Sequence, residues 1–382
     1  MEKGAEMNSI GIMISGLLLA AGGMLLFWRI LKSRNLHIWL IPYIFEIVKR
    51  IARKPAAVKN IYFSFVDHYE PYMLNNDDQV AKNRVEEWVK RYPPVADRHY
   101  DSNGNKPRHT FFYPIEEYRE DLLEDIARLC KSGYGDVEVH LHHDHDTREG
   151  TSRKLMDFKS LLFNKHGLLR KDDRSGNIIY AFIHGNWALD NSRPDGRWCG
   201  VDNELEILEQ TGCYMDMTMP SAPSDTQTTK INAIYWAKGR QGKRKSHNQG
   251  RDVEVGKWKN EGELLMVQGP LTLNWKKRKM FLMPKIESSE ISFDSPPSIE
   301  RISLWEKAGI SVKGAEEHIF IKVHTHGALE KNSGMLFEWG FDRLWTDLED
   351  SFRDRAGYNL YYVTAWEMYK TIESLAIGAS KQ

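Results

Sequence analysis

From about Lys59 onward the chain alternates short apolar runs with longer amphipathic stretches, and this alternation restricts its possible folds more than any other feature. The strand-length runs are NIYFSFVD, DVEVHLH, NIIYAFIHG, CYMDMTM and HIFIKVHTHG. Helical patterns separate several of them: VAKNRVEEWVKRY, YREDLLEDIARLCKSG, RKLMDFKSLLFNKHG and NELEILEQTG. The last three end at Gly133, Gly167 and Gly212, where a helix C-cap favours glycine. Strand and helix in alternation predict a mainly parallel sheet, open or closed into a barrel. No internal repeat is present, and residues 59–382 are read as one domain. The glycine-rich, basic stretch AKGRQGKRKSHNQGRDVEVGKWKNEG has no period and reads as a surface excursion.

Charge narrows the function classes. Lysine plus arginine and aspartate plus glutamate number 53 each, so no whole-protein field draws the chain to nucleic acid. With 41% hydrophobic and 28% charged residues the chain is globular rather than disordered. Three cysteines, Cys130, Cys199 and Cys213, are too few and too scattered for a disulfide framework or a zinc ribbon, and are read as packing residues.

The segment from His140 to Asp146 holds four of the 14 histidines and two aspartates. In VEVHLHH, Val137, Val139 and Leu141 fall on one face of a strand, with Glu138, His140 and His142 on the other. His143 to Asp146 follow at the C-terminal strand end, the edge where α/β folds build their sites. Other strands end similarly. FSFVDHYEP delivers Asp67, His68 and Glu70; YAFIHGNWALDNS delivers His184, Asn186 and Trp187; IKVHTHGA delivers His324 and His326; CYMDMTM adds Asp216. Imidazoles beside carboxylates, with no cysteine in the histidine-bearing segments, suit a divalent ion: zinc first, with manganese, cobalt or iron as alternatives.

A strand-end Asp near the start, a histidine-rich second strand end and a late VHTHG resemble the polysaccharide deacetylases of the glycoside hydrolase/deacetylase superfamily. The resemblance runs from about Asn60 to His326 in order and spacing. It implies a distorted (β/α) barrel holding a divalent metal through one Asp and two His, with a catalytic Asp and a catalytic His. In this chain Asp67 takes the metal position of the first motif, and Val66 stands where the base would be. Of the second motif, His142 matches the first histidine and Asp146 replaces the second, with His143 as the alternative ligand. The late catalytic histidine falls on His326, with His324 next. His68, Glu70 or Asp146 remain as bases, and His184 joins the catalytic candidates.

The expected activity is therefore a metal-dependent hydrolase that removes acyl groups from a carbohydrate or a lipid-linked glycan. The metal would polarise an acyl carbonyl and lower the pKa of its water toward ~7, and His326 would protonate the leaving group. Asn186, Trp187 and Asp216 are expected to contact substrate, with Trp187 stacking on a sugar face. Two alternatives stand beside this one. The first is a glycosidase working with two carboxylates such as Asp67 and Asp216; the second is a non-catalytic member of a polysaccharide assembly.

The first 58 residues read as a membrane anchor. Ile10 to Trp28 carry no charge and, as a helix, span roughly 28 Å. Arg29, Lys32, Arg34, Lys49, Arg50, Arg53 and Lys54 follow, which predicts a cytoplasmic location for the remainder. Between these basic groups LHIWLIPYIFEIV, about residues 36–50, reads as an interfacial helix.

Overall fold

The computed structural model describes residues 2–52, 56–279 and 283–378, with residues 2–14, 16 and 279 described as backbone only. The strands that matter for the site are β1 (Lys59–His68), β2 (His109–Pro114), β3 (Gly135–Leu141), β4 (Ile178–His184), β5 (Cys213–Asp216), β6 (Ile234–Lys238), β7 (Arg251–Asp252), β8 (Glu263–Val267), β9 (His318–Thr325) and β10 (Tyr358–Tyr362). They lie in one large sheet in the order β9–β1–β2–β3–β4–β5–β8–β6–β7, with β10 also paired to β1. Pairing is parallel from β9 to β8, and β6 and β7 close the far edge antiparallel.

Helices form where the amphipathic patterns lie: α3 (Asp78–Ala96), α4 (Glu120–Leu129), α5 (Arg148–Asn164) and α6 (Glu204–Gln210). The Asp77 carboxylate accepts the N–H groups of Gln79 and Val80 to start α3, and Thr147 Oγ1 accepts that of Gly150 to start α5. Past α5 and α6 the chain turns at Gly167 (φ 62°) and Gly212 (φ 96°), a region glycine enters at little cost.

The two faces of the sheet bury different residues. Phe63 and Phe65 of β1, Phe111 of β2 and Val137, Val139 and Leu141 of β3 pack under the helices in the larger core. Burying side chains of this size contributes roughly 1.5–3 kcal/mol each. Val66, Phe112, Ile183, Met215, Leu265 and Phe320 face inward with the C-terminal helix Ala365–Ile377 in a second core. This inner face curls until its ends meet. At Gly269 an added Cβ would stand 2.5 Å from the carbonyl oxygen of Lys322, yet no ladder joins β8 to β9 among the described residues. Lys322 Nζ bridges the seam instead, donating to the carbonyls of Met217 (2.7 Å) and Met219 (2.8 Å).

The expected fold class, a distorted (β/α) barrel behind an N-terminal transmembrane helix, is corrected accordingly. The observed fold is mixed α/β around a large sheet with an open seam, and the membrane span over Ile10–Trp28 is not upheld. Helix α1 runs Glu2–Ser33, but among the described residues no helix is long and apolar enough to cross a membrane. The side chains of residues 10–14 and 16, part of the same expectation, lie outside the described residues. With the span go the cytoplasmic assignment and the membrane as a partner. Helix α2 (Leu36–Ile51) packs Trp39 and Tyr43 in one cluster with Leu271 and with Leu273 and Ile286 of the antiparallel strand pair Thr272–Lys279 and Met283–Glu287.

The basic excursion is not merely solvated. Lys245 N donates to Asp190 O (2.7 Å), Ser246 N donates to Asp190 Oδ2 (2.6 Å), and His247 is fully buried.

Candidate metal centres at the strand ends

The inward face of β1 presents Val66 and His68, while Asp67 points to the helix side. Asp67 is fully buried there; its Oδ2 pairs with His109 Nε2 (3.0 Å) and its Oδ1 accepts Gly327 N–H (2.7 Å). Trp88 Nε1 donates to Gly327 O (2.9 Å), so Asp67 and Trp88 clamp the turn just after His326. Glu70, three residues beyond Asp67, is the carboxylate that meets the histidines.

Glu70 Oε1 lies 3.0 Å from His140 Nε2 and 3.2 Å from His142 Nε2. The other nitrogen of His140, Nδ1, donates to Ile183 O at 2.7 Å. With Nδ1 donating there, Nε2 meets the carboxylate oxygen either as the second N–H of an imidazolium or, in the neutral ring, as a lone pair open to a cation. Two acceptors at 3.0 Å repel unless a proton or a cation lies between them. The ring of His142 rests on Gly185, where an added Cβ would stand 2.3 Å from it, and its Nδ1 pairs with Glu116.

A second group shares Glu70: His68, Glu70 and His326 each offer a donor atom within 4.8 Å of the others. The His68 and His326 rings are 4.8 Å apart, and Trp187 lies 5.9 Å from the first and 6.0 Å from the second. His142, Trp187 and His326 are only partly buried, so this end of the cluster faces outward.

The electrostatics follow from this geometry. Burial raises the Glu70 carboxyl, but hydrogen bonds from His140 and His142 outweigh it and hold the group well below the usual carboxylate range. His142 is lowered by burial yet lifted to about 10 by Glu116 and Glu70. His68, wholly enclosed and beside the His326 and His140 rings, is pushed well below 6.5 and is neutral at physiological pH.

A third group stands deeper. His143, His184, Cys199 and Glu204 bring four buried donor atoms within 4.8 Å of one another. The expected ligand Asp146 sits behind it, accepting from Thr151 Oγ1 (2.9 Å) and Lys154 Nζ (2.8 Å) and facing His143 Nδ1 (3.1 Å).

The structure therefore distributes the expected residues over two neighbouring centres. His142, His68 and His326 gather around Glu70 with Trp187 above them, while His143 and His184 belong to the deeper group. Asp67 enters neither, and Asp216 is occupied by Thr218, which donates to both its oxygens (3.0 and 2.7 Å). Burial raises the Asp216 carboxyl to about 7 against those hydrogen bonds. Three participants gave weak sequence signals. His140 alternates correctly but lies inside its strand, Glu204 reads as an ordinary residue at the start of an amphipathic helix, and Cys199 reads as packing.

No family model and no curated protein matches the chain. Among solved structures, a protein designated a polysaccharide deacetylase from Mycobacterium smegmatis superposes with a TM-score of 0.43 and 11% identity over 85% of this chain and 93% of that one. An alpha-mannosidase from Enterococcus faecalis superposes with a TM-score of 0.42 and 9% identity over 83% of this chain and 29% of that one. The chain thus spans under a third of the mannosidase's length.

Proposed function

We propose that the chain is a metal-dependent hydrolase that removes acyl groups from carbohydrate, with Glu70, His140 and His142 holding the ion. The observation that carries this reading is the His140 ring, whose Nδ1 is committed to Ile183 O and whose Nε2 faces Glu70 Oε1 at 3.0 Å beside His142. The donor set, imidazole nitrogens and a carboxylate oxygen, fits zinc and related divalent ions. A divalent ion held there supplies Lewis acidity toward an acyl carbonyl.

The other groups complete a hydrolytic set. His68 is a neutral imidazole able to accept a proton, and His326, partly exposed beside it, is placed to protonate a leaving amine or alkoxide. Trp187 offers a partly buried ring next to both histidines, a surface suited to a sugar face. The resemblance in the order of strand-end residues supports the same substrate class. The glycosidase alternative finds less support, because Asp67 is occupied by His109 and Gly327, and Asp216 by Thr218.

Acetate release from N-acetylated and O-acetylated oligosaccharides tests the proposal. The purified chain should release acetate after zinc or cobalt loading, and E70Q should release at least a hundredfold less. Cleavage of glycosidic bonds without acetate release would overturn it.

A further inference from the structure

Beyond that reaction centre, we infer that His143, His184, Cys199 and Glu204 form a second, closed divalent-metal site that holds the loops around Trp187 in place. Their donor atoms converge: His143 Nε2 is 2.8 Å from His184 Nε2 and 3.0 Å from Glu204 Oε1, and His184 Nε2 is 3.4 Å from the same oxygen. Cys199 Sγ lies 3.5 Å from Glu204 Oε2. Tetrahedral zinc with bonds of about 2.0–2.3 Å sets its ligands about 3.3–3.7 Å apart, so small shifts suffice to admit the ion.

The outward-facing atoms of the same residues are already engaged. His184 Nδ1 donates to Gly185 O (2.5 Å), and His143 Nδ1 faces Asp146 Oδ2 (3.1 Å). Glu204 Oε2 accepts Asp190 N–H (2.6 Å), and Cys199 O accepts Asp146 N–H (3.1 Å). With both Nδ1 atoms directed outward, two imidazole Nε2 atoms, a carboxylate oxygen and the Cys199 sulfur face one enclosed volume. Such outer partners are those that orient metal-bound histidines.

Backbone strain gives an independent reason. Asn186, Trp187, Asp190, Asn191, Trp198 and Asn203 all have positive φ, between 51° and 68°. A non-glycine residue in that region costs of order 1–3 kcal/mol and persists only where its surroundings over-determine it. His184, Cys199 and Glu204 lie beside or within this strained stretch and His143 follows β3, so one ion would tie its ends to the end of β3. Four protein ligands leave no open position, which marks a structural rather than a reacting ion. Binding forms the sulfur–metal bond and releases the Cys199 thiol proton to solvent.

Cobalt loading of the purified full chain tests the site through the near-ultraviolet thiolate-to-cobalt charge-transfer band. Cys130 and Cys213 join no metal-donor group among the described residues, so the band reports Cys199. The wild-type chain should show the band, H140A should keep it while losing one equivalent of metal, and C199S should lose it together with the other equivalent. Absence of the band from the wild-type chain, or its survival in C199S, would overturn the site. The wild-type spectrum decides the matter even where C199S does not fold.

Discussion

Asp67 Oδ1 accepts the backbone N–H of Gly327 at 2.7 Å, joining the end of β1 to the turn that carries His326. A residue that matches a metal-ligand position by spacing thus acts here as a clamp on another candidate residue. Its second oxygen faces His109 Nε2 in the core, with Trp88 packed against the same turn.

The D67A variant should therefore lose stability and keep its metal. Removing the carboxylate leaves the His109 ring and the Gly327 N–H buried without partners, at a cost of about 1–3 kcal/mol each. Thermal unfolding and metal analysis of the same sample check this. A variant that melts like wild type but binds less metal would restore Asp67 as a ligand.

G327A should damage the turn itself. An added Cβ would stand 2.2 Å from Asp67 Oδ2 and 2.5 Å from Trp88 Cζ2, so the turn must move and take His326 with it. The expected result is a fall in acetate release of tenfold or more with metal content retained. Wild-type turnover in G327A would show that the position of His326 is unimportant.

Trp187 should contribute to substrate rather than to metal. Burying an apolar ring of this size against substrate is worth about 1.5–3 kcal/mol, so W187A should lose roughly tenfold or more in kcat/KM. Metal content should not change. Unaltered kinetics would remove Trp187 from the site.

Asp216 predicts a pH dependence of stability. Its folded-state carboxyl is raised to about 7, chiefly by burial, above the ordinary 3.8. The folded state keeps a proton that the unfolded state releases, so this contribution is full below about pH 4 and is lost as pH rises toward 7. Between pH 4.5 and 6.5 wild type should lose on the order of 2 kcal/mol relative to D216N. Denaturant unfolding of both across that range checks the sign, and parallel profiles would refute it.

Much of the architecture was legible because it rests on periodicity. The alternation of Val137, Val139 and Leu141 against Glu138 and His140 placed the imidazole on the inner face, and the glycines after α5 and α6 marked their ends. The open seam was not legible, because it depends on Lys322 reaching the carbonyls of Met217 and Met219 across the fold. Spacing likewise favoured Asp67 over Glu70, since side-chain direction at the end of β1 is settled by His109 and Gly327, partners far away in sequence. Cys199 and Glu204 come together with His143 only through the strained loops between β4 and α6.

A reacting ion at this centre depends on Glu70, His140 and His142 as its ligands. The most direct measurement is acetate release by wild type and H140A, each stripped by chelator and then titrated with zinc. Wild type should be inactive when stripped and regain activity with zinc, while H140A should stay inactive and bind one equivalent fewer. Full activity in the stripped wild-type chain, or zinc-restored activity in H140A, would contradict it.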